Sequence, residues 1–574
     1  MYEKLNKVEQ SVFAVLSLIL VVFYIVSALW VPAATQYHRG VYVLITYLAV
    51  FLIYRSGSRV GRVWDYLLML ASIVTVGYWV VNFEALSYRA GAETLLDQYV
   101  ALVGVLIGIE VARRAVGPVF VGLGVIMLLY GIFGEYAPDL IAHPGDTLLG
   151  VCTNIFFRED GVFGIMANVL ATYVLLFVLF GAFLEASGAQ RFFIDFPLAA
   201  VGHRTGGPAK VAVIASALFG SISGSAIANT VSTGTFTIPL MKKAGFKPQV
   251  AGAIEPAASI GGMFMPPVMG AGGFIMAELT GIPYSRIMLV AVFPAMMYFL
   301  SVFVLVHYEA KRNGIRGEKS EVPAMVILKK EWYFVLPLVA ITILMLYGYS
   351  AGFAAVIGTL SCIAISWIKK ETRITPRKFV RAACRGAENS LRVGATVGVI
   401  GIIIAMLTFS GLVLTFADIV IQLAEGNLVL TILLIALASL VLGMGVPVTA
   451  AYLITAVVAV PALTHLGVHP LAAHMIVYWL SQDSNITPPV CIAAFAGATI
   501  AKAPIWKTAF NAFKFAKFLY LGPFLFGFVP GFTMQGDTWD IVRAFALILI
   551  GTYLYSYLLS LAWVPSVKRL FQRA

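Results

Sequence analysis

A thirty-residue pattern occurs twice in this chain, and each copy ends by breaking an apolar stretch with two adjacent prolines. The first, Pro239 to Val268, reads PLMKKAGFKPQVAGAIEPAASIGGMFMPPV; the second, Pro461 to Val490, reads PALTHLGVHPLAAHMIVYWLSQDSNITPPV. Pro239, Gly245, Pro248, Pro266, Pro267 and Val268 fall without a gap on Pro461, Gly467, Pro470, Pro488, Pro489 and Val490, a displacement of 222 residues. Self-similarity at a fixed displacement marks an internal structural repeat. In each copy a polar, Gly- and Pro-rich segment, Ser259 to Pro267 or Ser481 to Pro489, interrupts the apolar run. Inside a bilayer no water satisfies the backbone groups that a break frees, so it persists only where protein packs around it or it lines a polar cavity. Paired interruptions at corresponding places in two halves point to the binding site of a transporter.

The bilayer itself follows from composition. With 60% of residues hydrophobic and only 11% charged, the chain is far outside the soluble globular range, and an all-α polytopic membrane protein is expected. Residues 12 to 32 run 21 positions without a charge. That is too long for the apolar core of a signal peptide, and the preceding segment lacks a positive balance, so this stretch is expected to remain as a transmembrane helix. The net charge of +12 fits the positive-inside bias of a protein embedded in a lipid bilayer, and nucleic acid is not expected as a partner. Cys152, Cys362, Cys384 and Cys491 form no C-x-x-C pair, so neither a structural zinc nor a disulfide framework is indicated.

Apolar stretches fall near 12–32, 41–54, 66–82, 98–112 and 117–134, after which the loop 134–160 turns acidic. The stretch at 98–112 is only about fifteen residues and carries Glu110, the length of a short or tilted span. Runs at 162–186, 196–241, 248–278 and 286–306 precede a basic loop; runs at 333–347, 352–368, 394–418, 427–464, 471–500, 516–530 and 541–563 follow it. Two of these, 196–241 and 427–464, exceed one crossing, and each is divided by a small-residue cluster, GSISGS at 220–225 and GMGVP at 443–447. The expected organisation is an N-terminal multi-helix region (1–155), then a first repeat (156–369) with hairpin 196–241 and broken helix 248–278. A basic amphipathic arm (370–393), a second repeat (394–532) with hairpin 427–464 and broken helix 471–500, and an extra C-terminal helix (533–574) complete it. The arm mixes Arg and Lys with Phe379, Val380, Ala383 and Leu391, the pattern of a helix lying on the lipid surface.

Charge decides how the long runs cross. With the loop carrying Arg55, Arg59 and Arg62 placed in the cytoplasm, the acidic loops with Glu84, Glu93, Asp97 and with Glu135, Asp139, Asp146, Glu159, Asp160 fall outside. If 196–241 enters and leaves on one side, Arg191, Arg204, Lys242, Lys243 and Lys247 are all cytoplasmic, and so are Lys311, Arg312, Arg316, Lys319, Lys329 and Lys330. If 427–464 does likewise from the outside, Lys502, Lys507, Lys514, Lys517, Lys568, Arg569 and Arg573 are cytoplasmic too, with Asp537 and Asp540 outside. Both termini are then cytoplasmic, and the two copies have inverted topology, the symmetry of a secondary transporter working by alternating access.

The first hairpin tip, GSISGSAIANT, gathers Ser221, Ser223, Gly224, Ser225, Asn229 and Thr230 at mid-membrane. Hydroxyls, an amide and freed carbonyls are hard oxygen ligands suited to Na⁺, and half-helix N-termini suit a carboxylate. The same small residues also favour plain helix packing. The opposing wall is Ser259, Gly261, Gly262, Pro266 and Pro267. By the repeat, Gly443, Gly445, Pro447 and Thr449 face Ser481, Gln482, Asp483, Ser484, Asn485, Thr487 and Pro488. Glu255 and Asp483 are the carboxylates expected at membrane depth, where acids serve as cation ligands or proton carriers. His474, on the second broken segment, reads as packing.

Enzyme signatures are absent: the chain holds no H-E-x-x-H, no G-x-x-x-x-G-K-[ST] and no G-x-S-x-G. Ser223, with His203 or His474 as base, is the remaining enzymatic alternative, an intramembrane serine protease, and it leaves the repeat unexplained.

The run GSISGSAIANTVSTGTFTIP at 220–239, followed by KKAG and MPPVMG, resembles the large membrane subunit of tripartite ATP-independent periplasmic (TRAP) transporters, particularly the fused type partnered with TAXI-class binding proteins. The resemblance covers about residues 160–530 and implies that residues 1 to about 150 are the small subunit fused in front. It further implies an elevator transporter of the bacterial or archaeal cytoplasmic membrane, whose hairpin tips and broken helices form the transport domain. Uptake would be of a small organic anion delivered by a periplasmic TAXI-type binding protein, coupled to Na⁺ with H⁺ through Asp483 or Glu255 as the alternative, and without a covalent cofactor. Where the family pattern has Gly-Gly-Gln, this chain has Gly262-Met263-Phe264. A stand-alone dicarboxylate carrier with paired hairpins is the rival transporter reading.

Overall fold

The computed structural model describes residues 2–317 and 320–562. Lys319 and the C-terminal Lys568, Arg569 and Arg573, placed in the cytoplasm above, lie outside the described residues. Among those described the chain is helical throughout, its one extended pairing being an isolated bridge between Thr205 and Arg316. Among the described residues, eight helices are long and apolar enough to cross a membrane. The chain divides into two compact units. One comprises Met1–Ser187, Ile343–Gly426 and Met444–Ala462; the other comprises Gly188–Thr342, Asn427–Gly443 and Leu463–Ala574.

In the first unit small residues let helices approach closely, as membrane helices require. A Cβ on Gly398 would lie 2.6 Å from the Cα of Gly108, and one on Gly394 would lie 2.8 Å from Thr46. The expected short span at 98–112 is instead a 21-residue helix, Leu95–Ala115. Thr94 and Asp97 cap its start reciprocally, and Arg113 and Arg114 neutralise Glu110 near its end, so polar residues at both ends belong to it. The acidic loop 134–160 contains a further helix, Leu148–Phe157, and the run 394–418 is two helices divided at Gly411 (φ 70°). The basic arm is the helix Pro376–Gly394. It buries Ala382, Ala383, Gly386, Ala387 and Leu391 and exposes Arg377, Lys378, Arg381, Arg385 and Arg392. Arg385 pairs with Glu185 at 3.2 Å.

In the second unit, the run expected as one hairpin at 196–241 contains a separate helix, Ala189–Val201, and the hairpin proper begins at Gly207. Its arms, Gly207–Ser223 and Ala226–Lys243, turn on Gly224 in the left-handed region (φ 57°) and on Ser225, whose side chain caps the second arm through the amide of Ala228. Broken helix 1 is Pro248–Phe264 and Ala271–Thr280; broken helix 2 is Pro470–Leu480 and Ile492–Ala501. The helix Tyr284–Arg312 packs along Thr538–Ala562, with Phe293 stacked on Phe545 at 3.8 Å.

Candidate functional site

Backbone conformation repeats with the sequence. Ala226–Lys243 and Val448–His465 begin and end 222 residues apart, and Pro248 and Pro470 each open a helix, where a missing N–H costs nothing. Gly245 and Gly467 both hold positive φ, at 105° and 84°. Met269 and Cys491, two of five non-glycine residues with positive φ among those described, are again 222 apart. The Pro266–Pro267 and Pro488–Pro489 bonds are both cis.

The breaks differ in length. In the first copy the helix runs to Phe264, two residues before the prolines. In the second it ends at Leu480, and a 3₁₀ turn, Asp483–Asn485, stands where the first copy is still helical. The cause is in the side chains. Ile260, Gly261, Gly262, Met263 and Phe264 have no polar group to compete with the helix, whereas Gln482, Asp483, Ser484 and Asn485 do.

The first break is closed by protein. Tyr478 donates to the Met263 carbonyl at 2.7 Å, which also accepts the Gly270 amide at 2.8 Å. The Tyr284 hydroxyl reaches the carbonyls of Pro267 and Val268 at 3.0 and 2.5 Å. The Val268 amide donates back to the Ser221 carbonyl at 3.2 Å, tying the break to the hairpin tip. Phe264 stacks on Trp479 at 4.3 Å, so it joins the two broken helices through an aromatic face.

Hairpin 1 lies directly on broken helix 1. A Cβ on Gly220 would stand 2.6 Å from the Cα of Gly262, and Asn229 donates to the Ser216 carbonyl at 3.0 Å beside it. Glu255 is fully buried and accepts from Ser216 at 2.5 Å and from Thr233 and Thr237. These hydroxyls join both hairpin arms to the helix that carries Glu255. Sequence reasoning missed them, although Asn229, Thr233 and Thr237 recur every fourth residue and so share one helix face.

The second break has the same packing point with different chemistry. A Cβ on Gly443 would meet the Cβ of Ser484 at 2.7 Å, and Ser484 stands 222 residues after Gly262. Leu428–Leu442 packs on the Asp483–Asn485 turn. Ser481 donates to the Tyr478 carbonyl at 2.7 Å, Gln482 reaches Ser481 at 3.4 Å, Asn485 reaches Gln482 at 3.4 Å, and Thr487 bonds the Tyr520 hydroxyl. Asp483 Oδ1 is buried and finds no hydrogen-bond donor among the described residues. The hydroxyls of Ser223, Thr230, Ser259 and Ser439 are likewise buried without a partner. Ser439, outside the repeat pattern, gives no sequence signal. Gly445, Pro447 and Thr449 belong to the other compact unit, where Gly445, at φ 81°, packs against Val119.

A buried carboxylate oxygen without a donor is costly unless a cation or a proton satisfies it. The unpartnered atoms are all hard oxygens, which fits Na⁺. Among the described residues no cluster of three His, Cys, Asp or Glu side chains would hold a transition metal.

Residues 103–532 match the family described as the tripartite ATP-independent periplasmic transporter, DctM component. The chain is 26% identical over 419 residues to a C4-dicarboxylate TRAP transporter large permease protein of Pseudomonas aeruginosa, covering 68% of this chain and 93% of that one. It is 23% identical over 385 residues to a sialic acid TRAP transporter large permease protein of Vibrio cholerae, covering 67% and 89%. The crystal structure of the YdaH transporter of Alcanivorax borkumensis superposes with a TM-score of 0.51 at 16% identity, covering 72% of this chain and 98% of that one, which is a likeness of fold. The relatives are named as transporter permeases, and the protease reading of Ser223 is set aside on that ground.

Proposed function

Because this chain belongs to the DctM component family of tripartite ATP-independent periplasmic transporters, we propose that it carries a small organic anion inward across the cytoplasmic membrane, driven by a cation gradient. The observation that carries the proposal is the unsatisfied, buried oxygen of Asp483 in the unwound second break. Na⁺, or a proton in its place, binds there with Ser439 and the hydroxyls around the broken helices as further oxygen ligands. The first break, tied off by Tyr284 and Tyr478, serves as a rigid frame that presents hairpin 1. Glu255 is the hydroxyl-bonded post that holds this frame together.

Broken helices and hairpin tips move together as an elevator, with the solute and the cation carried between the two membrane faces. The solute is delivered by a periplasmic binding protein of TAXI type, and residues 1–155 act as the fused small subunit that anchors the scaffold. Both termini lie in the cytoplasm. The relatives named for C4-dicarboxylates and sialic acid support an organic acid as cargo.

Reconstitution in proteoliposomes tests this. Radiolabelled C4-dicarboxylates and sialic acid are offered with and without a TAXI-type binding protein, under an imposed Na⁺ or pH gradient. Uptake that needs both the binding protein and one gradient is expected. Uptake without any binding protein would instead establish the stand-alone carrier.

A further inference from the structure

We propose that His307 and Lys210 form a proton-sensitive latch, which holds the foot of hairpin 1 against the helix Tyr284–Arg312 and lets go when His307 takes up a proton. The latch goes beyond the transport reading above, and only its bearing on uptake rests on that reading.

Contacts on both sides of the pair assemble the foot. Phe303, His307 and Ala310 share one face of Tyr284–Arg312, and each meets the start of hairpin 1. Lys210 Nζ lies 5.0 Å from the centroid of the Phe303 ring and 3.1 Å from His307 Nδ1. A Cβ on Gly206 would stand 2.6 Å from the Cβ of Ala310. Beyond them the Gly206 amide donates to the Ile315 carbonyl at 3.0 Å and the Gly317 amide to the Arg204 carbonyl at 3.3 Å, around the Thr205–Arg316 bridge.

Lys210 is only 6% exposed, and among the described residues no carboxylate pairs with it. Burying an ammonium is costly unless its protons are met, and here the acceptor is an imidazole. An ammonium only donates, so Nδ1 is the bare nitrogen of a neutral ring. A proton on Nδ1 would abolish the acceptor and set a second cation 3.1 Å from the first. With ordinary values of about 10.4 for lysine and about 6.5 for histidine, the ring is the member that changes state. His307 is half-buried, so solvent protons reach it.

The surroundings add positive charge and remove none. Lys311 on the same helix faces His307, Arg204 ahead of the hairpin faces Lys210, and Thr205 supplies only backbone. Tyr308, edge-on to the imidazole at 5.1 Å, meets Tyr553 and Tyr557 of the C-terminal helix. Glu309 faces Arg312 at 3.7 Å and Lys514 of the helix Ile505–Phe515 at 3.9 Å. Among the described residues a protonated His307 therefore meets no free carboxylate, and the pair comes apart. Charge counting along the sequence puts Arg204, Lys311 and Arg316 in the cytoplasm, so the proton that opens the latch is a cytoplasmic one. The foot leads through Gly207–Ser223 to the hairpin tip, which gives cytoplasmic acid a route to the site.

Hydrogen exchange of the purified full chain in detergent reads the foot directly, so the latch and the transport reading fail separately. Peptides covering 203–212 and 313–317 are followed by mass spectrometry at about pH 7.5 and about pH 5, with labelling times scaled for the slower intrinsic exchange in acid. In the wild type, protection of these segments is expected to fall about tenfold or more on acidification, as loss of a hydrogen bond to a charged group predicts. His307→Gln keeps an acceptor for Lys210 that no proton removes, and its protection is expected to be the same at both pH values. Equal falls in wild type and His307→Gln, or no fall in the wild type, would overturn the latch. Should His307→Gln fail to fold, Lys210→Gln, which has no ammonium to repel, is expected to show equal protection at both pH values, and a fall as large as that of the wild type would overturn the pairing.

Discussion

Replacing Gly220 by alanine tests the contact on which hairpin 1 rests. The added methyl would stand 2.6 Å from the Gly262 Cα and 2.7 Å from the Asn229 amide nitrogen. Carbon atoms in contact prefer about 3.5–4.0 Å, so the overlap is about 1 Å, and the atom in the way is backbone that no rotamer change can remove. Overpacking of this kind costs about 1–3 kcal/mol. Gly262→Ala makes the same clash from the other side, its methyl lying 2.5 Å from the Gly220 Cα. Gly77→Ala is the control: it is also in a helix, with nothing within 4 Å of the added methyl, and its better helix propensity is worth up to about 1 kcal/mol. Thermal melting of the purified protein should therefore rank Gly77→Ala at or above wild type and Gly220→Ala several degrees below, at about 2–4 °C per kcal/mol. Gly220→Ala should also lower uptake in proteoliposomes. Identical melting of Gly220→Ala and Gly77→Ala would refute the close approach of hairpin and broken helix.

Other predictions concern buried polar groups. Arg114→Ala leaves the Asp65 carboxylate, now 2.5 Å from the guanidinium and almost fully buried, without its charge partner; a loss of about 3 kcal/mol in the melting equilibrium is expected. Glu255→Gln should melt close to wild type, because the hydroxyls of Ser216, Thr233 and Thr237 can accept as well as donate, whereas Glu255→Leu should prevent stable folding, read by size-exclusion profile after extraction. Tyr478→Phe removes the donor to the Met263 carbonyl and should cost about 1 kcal/mol in stability, with a matching fall in uptake.

Much of this architecture could be read from the chain because prolines and glycines impose conformation locally. Pro248 and Pro470 fix where helices start, the double prolines mark where each apolar run is broken, and the left-handed Gly224 sits within the cluster picked out as a hairpin tip. Helix ends marked by charge were less legible. Leu95–Ala115 looked too short because Asp97 read as part of the acidic loop before it and Arg113 and Arg114 as lying beyond the apolar run, when Arg89 neutralises Asp97 and Arg113 and Arg114 neutralise Glu110 within the helix. The site was legible as a set of polar residues, but not the difference between its halves. Which break is sealed depends on Tyr284 and Tyr478, distant in sequence or set among apolar neighbours, and only folding brings their hydroxyls to the freed backbone. The hydroxyl of Ser439 gains significance in the same way, from what does not face it.

The central claim is that the second break, through Asp483, couples transport to a cation. The direct measurement is accumulation of a transported acid in proteoliposomes by wild type and Asp483→Asn, each under an imposed Na⁺ gradient and, separately, an imposed pH gradient, with melting curves confirming that both proteins are folded. Wild-type accumulation should follow one of the two gradients, and Asp483→Asn should lose that dependence while melting cooperatively. Full gradient-driven accumulation by Asp483→Asn would contradict the account.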